Sequence, residues 1–220
     1  MRALLLLLLL AGCARPLTEG ERVFAGHFFG PETLSARVTF RENPLVGVSA
    51  RTYPTRPRST CRERILPPIE TPTYEARTAG VTLYTHVMTS PGYYLDDYLP
   101  GYPDRMNLAA AMFFAHEMTH VWQWKNRGQT RFTPLRAGLE HVTTTDPYLF
   151  ETDTQDFLDY GYEQQASLVE EYLCCATLDP QGARTDRLRA LVSQALPISE
   201  LPQVGDVRVP YSGALEGICS

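Results

Sequence analysis

The residues of this chain best suited to chemistry stand together in the pentapeptide His116-Glu117-Met118-Thr119-His120. An α-helix turns about 100° per residue, so two histidines four positions apart leave the same face of the helix, one turn apart. Both imidazoles can then bind one Zn²⁺ ion at about 2.0–2.1 Å. Glu117 lies at the border of that face, where its carboxylate can hold and deprotonate a water molecule on the ion. The spacing therefore predicts a zinc site with His116 and His120 as ligands and Glu117 as general base.

A catalytic zinc site needs a third protein ligand and one position left open for water. The extended pattern HExxHxxGxxH does not provide this ligand, because Gln123 and Asn126 stand where that pattern has Gly and His. Glu163 is the preferred third ligand, since it opens a second helical segment, and small residues one turn further on would let the two helices approach each other. The alternatives are His141, Asp159 and Glu170. The last of these could instead accept a hydrogen bond from a ligand histidine.

Hydrolysis at such a site also needs a group that stabilises the charge developing on the attacked carbonyl oxygen. Tyr160 and Tyr162 stand beside the preferred third ligand. We predict that one of these tyrosines, or His141, donates the stabilising hydrogen bond.

Three helices are predicted to position these residues. The clearest spans Arg105–Arg127, which contains neither Gly nor Pro; Asp104 is its predicted N-cap and Gly128 its stop. Apolar residues spread widely over this segment, so we expect it to be central and mostly buried. The second and third helices are predicted over Tyr162–Thr177 and Thr185–Leu196.

Strands are predicted mainly in the N-terminal half. Apolar and polar residues alternate over Thr33–Phe40 and again over Gly80–Met88, as in half-buried strands. Five prolines exclude regular structure from much of Tyr53–Thr73, and Thr130–Asp156 is predicted to be irregular. Together these elements predict an α+β fold, with a small, mainly helical, zincin-like core and a few short N-terminal strands.

The N-terminus resembles an export signal. Residues 1–12 carry one positive charge and then a leucine run that is too short to span a bilayer, which needs roughly 20 apolar residues. The stretch Leu10-Ala11-Gly12-Cys13 matches the lipobox of bacterial lipoprotein signal peptides. This match implies cleavage before Cys13 and acylation of that residue, with the outer membrane and its periplasmic face favoured. We then predict a linker over residues 13–22 and a single domain over residues 23–220.

Export places the other four cysteines in an oxidising compartment. Cys174 and Cys175 are adjacent on a predicted helix, where their side chains point about 100° apart, so a disulfide between them would be strained. We therefore predict that one of them pairs with Cys61 and the other with Cys219.

Two blocks of this sequence resemble one family. HEMTHVWQWKNRG and YGYEQQASLVEEY resemble the HExxH-Trp-Gln and Glu-Gln-Gln-Ala motifs of a bacterial zinc-peptidase family, related to domains with HELTHVxQ motifs often found beside secretion and toxin systems. Upstream segments are similar to the opening segment of the family and to its strand before the zinc helix, so the resemblance covers most of residues 17–178. It implies a gluzincin-like core, with His116, His120 and Glu163 as zinc ligands and Glu117 as base.

These observations favour a lipid-anchored, zinc-dependent metallopeptidase that acts on peptides or proteins in the cell envelope. Two alternatives remain open: a zinc-containing structural or interaction lipoprotein without turnover, and a zinc amidase acting on cell-wall material. The chain has 220 residues and a net charge of −5, so it lacks the basic field that a nucleic-acid partner requires.

Overall fold

The computed structural model describes residues 14–151, 156–213 and 215–220. The predicted signal peptide and the predicted lipidation residue Cys13 lie outside this part of the chain. Within the described ranges, no helix combines the length and the apolar character that crossing a membrane requires.

The described residues form an α+β fold, which confirms the predicted class. The helices are α1 (Glu19–Ser35), α2 (Cys61–Ile65), α3 (Leu108–Lys125), α4 (Arg127–Thr130), α5 (Pro134–Thr143), α6 (Tyr162–Leu178) and α7 (Ala183–Val192). The strands are β1 (Arg15–Pro16), β2 (Thr39–Glu42), β3 (Ala50–Pro54), β4 (Thr73–Arg77), β5 (Gly80–Leu83), β6 (His86–Thr89), β7 (Arg105–Asn107) and β8 (Asp206–Arg208). A short 3₁₀ turn, Phe157–Asp159, precedes α6.

Helix α3 lies at the centre of the molecule, as predicted, and packs against α6, α1 and β5. Its apolar residues face in nearly every direction, which suits a helix surrounded by other elements. Its predicted start is wrong by three residues, because Arg105–Asn107 pairs with β8 as a parallel strand. The N-cap is therefore Asn107 and not Asp104, and the Asn107 side chain accepts a hydrogen bond from the Ala110 backbone N–H at 3.2 Å.

The main sheet has the strand order β1-β2-β6-β5, so β5 forms one of its edges. Strands β2 and β6 are parallel, and the other two pairs are antiparallel. The segment predicted as one strand over Gly80–Met88 is a tight hairpin, which turns at Tyr84 with a φ of 63°. The strand predicted over Thr33–Phe40 begins only at Thr39, because α1 continues to Ser35.

The N-terminal segment predicted as a linker is structured from residue 15 onward. Strand β1 pairs with β2, and α1 begins at Glu19. The Thr18 side chain caps α1 in a reciprocal arrangement with Glu21, and the buried Glu21 carboxylate also binds Arg15 at 2.7 Å. The linker prediction is wrong for these residues. A strand of two residues and a helix cap leave almost no periodic pattern of apolar residues in the sequence, so they could not be recognised there.

The predicted irregular segment Thr130–Asp156 contains a helix, α5. Thr133 is the N-cap of this helix and Pro134 is its first residue, a position where the missing N–H of proline has no cost. The helix has no fully buried residue, and its apolar side chains Leu135 and Val142 are exposed. Its sequence therefore lacks the core-facing pattern by which helices are recognised.

Both disulfides follow the predicted scheme. Cys61 is bonded to Cys174 and Cys175 to Cys219, with Cα–Cα distances of 5.9 and 5.6 Å. The adjacent half-cystines of α6 thus anchor α2 on one side and the C-terminal tail on the other.

Removing the second disulfide is expected to destabilise the fold without altering its chemistry. The bond between Cys175 and Cys219 spans 44 positions of sequence, and closing a loop of that length contributes about 4 kcal/mol through the entropy of the unfolded chain. The double variant Cys175→Ser/Cys219→Ser should lower the free energy of unfolding by about this amount in denaturant titrations. An unchanged unfolding midpoint would contradict the pairing.

Candidate metal centre

Three buried donor atoms from two helices meet at one point. His116 Nε2 lies 3.0 Å from Glu163 Oε2, the two histidine Nε2 atoms lie 3.2 Å apart, and His120 Nε2 lies 3.4 Å from the same carboxylate oxygen. Two donors bound tetrahedrally to one ion at 2.0–2.1 Å are about 3.3 Å apart. The predicted convergence of His116, His120 and Glu163 is confirmed, and the triangle has the size that suits a metal ion.

The His120 ring nitrogen that points away from the other two donors is Nδ1, and it contacts an amide oxygen. His120 Nδ1 lies 2.8 Å from Gln123 Oε1, while the Gln123 side-chain N–H₂ donates to Gln165 Oε1 and to the Tyr162 carbonyl, both at 3.0 Å. With its amide nitrogen used in this way, Gln123 presents its oxygen to His120, so Nδ1 carries the proton. His120 Nε2 is then left with a lone pair that points at the other two donors.

A carboxylate lies beside the corresponding nitrogen of His116. His116 Nδ1 is 3.0 Å from Glu170 Oε1, an ion-pair contact without hydrogen-bond geometry, and the negative charge of Glu170 favours a proton on Nδ1. Two imidazole lone pairs and one carboxylate oxygen therefore converge within 3.4 Å of one another. They repel one another unless a cation, either a proton or a metal ion, lies among them.

The electrostatics of the buried site favour positive charge. Burial lowers the pKa of His116, but its contacts with the carboxylates of Glu163 and Glu170 outweigh burial and raise it to about 10. Burial also lowers the pKa of His120, and the charge of Glu163 reverses that effect. For Glu163, burial raises the pKa, whereas the charge of His120 and hydrogen bonds from the neighbouring histidines bring it well below its usual range.

The start of α6, and with it Glu163, is fixed by α5. The N-cap of α6 is Gly161, which has no side chain to cap the helix. The Glu140 carboxylate takes this role from α5, accepting hydrogen bonds from the backbone N–H groups of Tyr162 at 2.9 Å and Glu163 at 3.3 Å. This contact was not predicted from the sequence.

His141 reaches the site from the same helix, although it does not complete the triangle. Its Nε2 lies 3.0 Å from Glu163 Oε1, the oxygen that faces away from the other two histidines. About a third of the His141 side chain is exposed, so it stands at the mouth of the site. His141 is therefore not one of the three converging donors, and its role as a hydrogen-bond donor toward substrate stays a prediction.

The other two alternatives for the third ligand are not in ligating positions. Asp159 is exposed at the end of the 3₁₀ turn. Glu170 contacts His116 Nδ1, the ring nitrogen on the far side from the three donor atoms. This is the position expected for a partner of that histidine and not for a third ligand.

Tyr160 and Tyr162, predicted as oxyanion stabilisers, have their hydroxyl groups engaged elsewhere. The Tyr160 hydroxyl donates to the Glu151 carbonyl at 2.6 Å, and the Tyr162 hydroxyl donates to the Arg131 carbonyl at 3.0 Å. Both residues shortly precede Glu163 in sequence, but their hydroxyl groups bind backbone carbonyls of other segments, so the predicted role is wrong for the arrangement seen here.

A tyrosine that sequence reasoning missed lies at the site. The ring of Tyr148 is centred 6.0 Å from the His116 ring and 5.7 Å from the His141 ring. Burial and then the charge of Glu163 raise the pKa of its hydroxyl, which keeps it a hydrogen-bond donor. Its segment carries no periodic pattern, so only its residue type could have marked it as a candidate.

Glu117 is buried beside the triangle and is held by β5. Thr82 Oγ1 donates to Glu117 Oε2 at 2.7 Å, and a Cβ atom at Gly80 would collide with Oε1. Glycine is therefore needed at this position of the strand to leave space beside the second carboxylate oxygen. Burial raises the pKa of Glu117, against the charges of His116 and His120.

Comparisons with known proteins do not place this chain in a family. No protein-family model, no curated protein and no solved structure matches this chain.

Proposed function

We propose that this chain is a zinc-dependent metallopeptidase, anchored to the bacterial envelope by a lipid at Cys13. One observation carries the proposal: His116, His120 and Glu163 form a group of three donors, with the unligated carboxylate of Glu117 beside it. Two imidazoles and one carboxylate are a donor set typical of catalytic zinc, which keeps its fourth position for water or substrate. Among the described residues this group has no fourth protein member, which argues against a closed structural site.

A Zn²⁺ ion at these ligands supplies a Lewis acid that acidifies water and polarises a carbonyl oxygen. Glu117 is positioned to do the proton chemistry. Thr82 binds its Oε2, so Oε1, with the space left by Gly80, can accept a proton from the attacking water and return it to the departing amine. Tyr148 lies beside His116 and His141, where its hydroxyl group would donate a hydrogen bond to the developing oxyanion. His141 could take the same role only after its Nε2 leaves Glu163 Oε1.

The position of β5 supports a peptide substrate over a cell-wall amide. This strand is an edge of the main sheet, and its residue Thr82 contacts Glu117 directly. The unpaired backbone groups of an edge strand can bind an extended peptide as an additional strand. A peptide bound in this way would carry its backbone past Glu117.

The two disulfides support the exported location. Disulfides persist in oxidising compartments and are rare in the cytosol. The lipid anchor itself rests on the sequence of the first thirteen residues.

A peptide-library digest tests the activity. The mature chain loaded with Zn²⁺ is expected to cleave an unbiased library at defined positions and to lose this activity on treatment with a chelator. If the chain hydrolyses cell-wall fragments but leaves the peptide library uncleaved, the result would favour the amidase alternative. A zinc-loaded chain that cleaves neither substrate would favour a structural or interaction lipoprotein.

Replacing Gly80 with alanine is expected to slow cleavage on the order of 100-fold, because the new methyl group displaces the Glu117 carboxylate. Zinc content should be unchanged, since Glu117 is not a ligand. Gly92→Ala is the matched control, because a Cβ there has no atom within 4 Å. Peptidase rates of the two variants check this expectation, and equal rates would show that Gly80 does not shape the site.

A further inference from the structure

An arginine outside the ligand set is linked to the metal site through Glu170. Arg62, in the short helix α2, places its Nη1 at 3.0 Å from Glu170 Oε2, while Glu170 Oε1 lies 3.0 Å from His116 Nδ1. The two oxygens of one buried carboxylate therefore divide their contacts between an arginine and a ligand histidine. This series of contacts runs from the surface to the metal site in two steps.

Helix α2 is attached to α6 at the point from which Arg62 reaches inward. Its first residue, Cys61, is disulfide-bonded to Cys174 of α6. The Cys61 backbone N–H also donates to Glu171 Oε1 at 2.9 Å, and the Arg62 backbone N–H lies 3.4 Å from Glu171 Oε2. A helix of five residues has little stability of its own, so these links to α6 determine where the Arg62 side chain begins.

We propose that Arg62, held in place by the Cys61–Cys174 disulfide, is a positioning residue of the metal site. Its ion pair with one oxygen of Glu170 holds the carboxylate, so that the other oxygen stays 3.0 Å from His116 Nδ1 and keeps His116 Nε2 directed toward the ion. Partners of this kind orient ligand histidines, and their loss lowers metal affinity about 10–100-fold. The inference rests on metal binding at the proposed site and is independent of what the site hydrolyses.

The charge of Arg62 and its proposed positioning role predict opposite changes in Zn²⁺ affinity when this side chain is removed. The guanidinium is a positive charge near a cation site, so its loss alone would strengthen metal binding. A positioning role predicts the reverse, because Glu170 would no longer hold His116 in one orientation. The sign of the change in affinity therefore separates the two effects.

An arginine in another part of the fold provides a matched control. Arg15 Nη2 lies 2.7 Å from Glu21 Oε1, so it pairs with a buried glutamate. The other partners of Glu21 are the backbone N–H groups of Thr18 and Tyr98. Arg15→Met thus removes a comparable ion pair while leaving α2 and its contacts with α6 in place.

The test is a competition titration of Zn²⁺ against a chromophoric chelator, with folding checked by circular dichroism. We expect Arg62→Met to bind Zn²⁺ about 10-fold more weakly than wild type, Arg15→Met to bind within about 3-fold of wild type, and Arg62→Lys to recover most of the loss. Unchanged or tighter binding by Arg62→Met would overturn the proposal. A wild-type chain that binds no Zn²⁺ would overturn the proposed function as well, so the two failures are distinguishable.

The disulfides give an independent second comparison. Both double variants, Cys61→Ser/Cys174→Ser and Cys175→Ser/Cys219→Ser, remove a bridge from neighbouring residues of α6. Only the first is expected to weaken Zn²⁺ binding about 10-fold or more at a temperature where both remain folded. Equal affinity in the two variants would show that the first disulfide does not act on the site.

Discussion

Replacing Glu163 with alanine is expected to lower Zn²⁺ affinity by more than about 100-fold. Loss of a partner that only orients a ligand costs about 10–100-fold, and Glu163 supplies one of the three donor atoms and the only negative charge among them. Its carboxylate oxygen lies 3.0 and 3.4 Å from the two histidine nitrogens, so its removal opens the triangle on one side. Competition titration with a chelator and metal content by mass spectrometry measure the effect.

Asp159→Ala is the control for this change. Asp159 was an alternative third ligand on sequence grounds, but it is exposed in the 3₁₀ turn, so we expect it to have no effect on zinc affinity. Full zinc occupancy in Glu163→Ala would mean that another residue supplies the third donor. His141 would then be the first residue to replace, since it lies 3.0 Å from the other Glu163 oxygen.

Replacing Glu117 with glutamine is expected to preserve zinc binding and to reduce peptide cleavage about 10²–10⁴-fold, the usual contribution of a general base. The amide has nearly the same shape as the carboxylate and can still hydrogen-bond to the Thr82 hydroxyl group, which lies 2.7 Å from Glu117 Oε2. It cannot accept and return a proton. The variant therefore separates the proton chemistry from metal binding.

This expectation is checked by measuring zinc content and cleavage rate on the same preparation. Equal zinc content with a large loss of rate supports Glu117 as the base. A rate within about 10-fold of wild type would contradict that role, and the proton acceptor would have to be sought among the other buried groups at the site.

The convergence of His116, His120 and Glu163 could be predicted because it follows mainly from local geometry. The spacing of His116 and His120 fixes two imidazoles on one face of any helix that contains them, whatever surrounds it. Glu163 was preferred because it opens a second helix whose next turn carries small residues, and α6 does pack closely on α3. The disulfide pairing followed from the adjacency of Cys174 and Cys175, which prevents an unstrained bond between them.

The surroundings of these three residues could not be predicted in the same way, because they depend on contacts between distant segments. Gln123 orients His120 from one turn away, but Arg62 and Thr82 come from α2 and β5. Tyr148 lies in a segment without periodicity. The two tyrosines beside Glu163 were chosen from proximity in sequence, and proximity does not fix the direction of a side chain at the start of a helix.

Anomalous scattering at the zinc absorption edge, measured on crystals of the chain grown with Zn²⁺, would show whether these three residues bind the ion. We expect one strong peak about 2.0–2.2 Å from His116 Nε2, His120 Nε2 and Glu163 Oε2, with a water molecule or substrate atom as the remaining ligand. A zinc peak elsewhere, or no peak within this triangle when Zn²⁺ is in excess, would contradict this expectation.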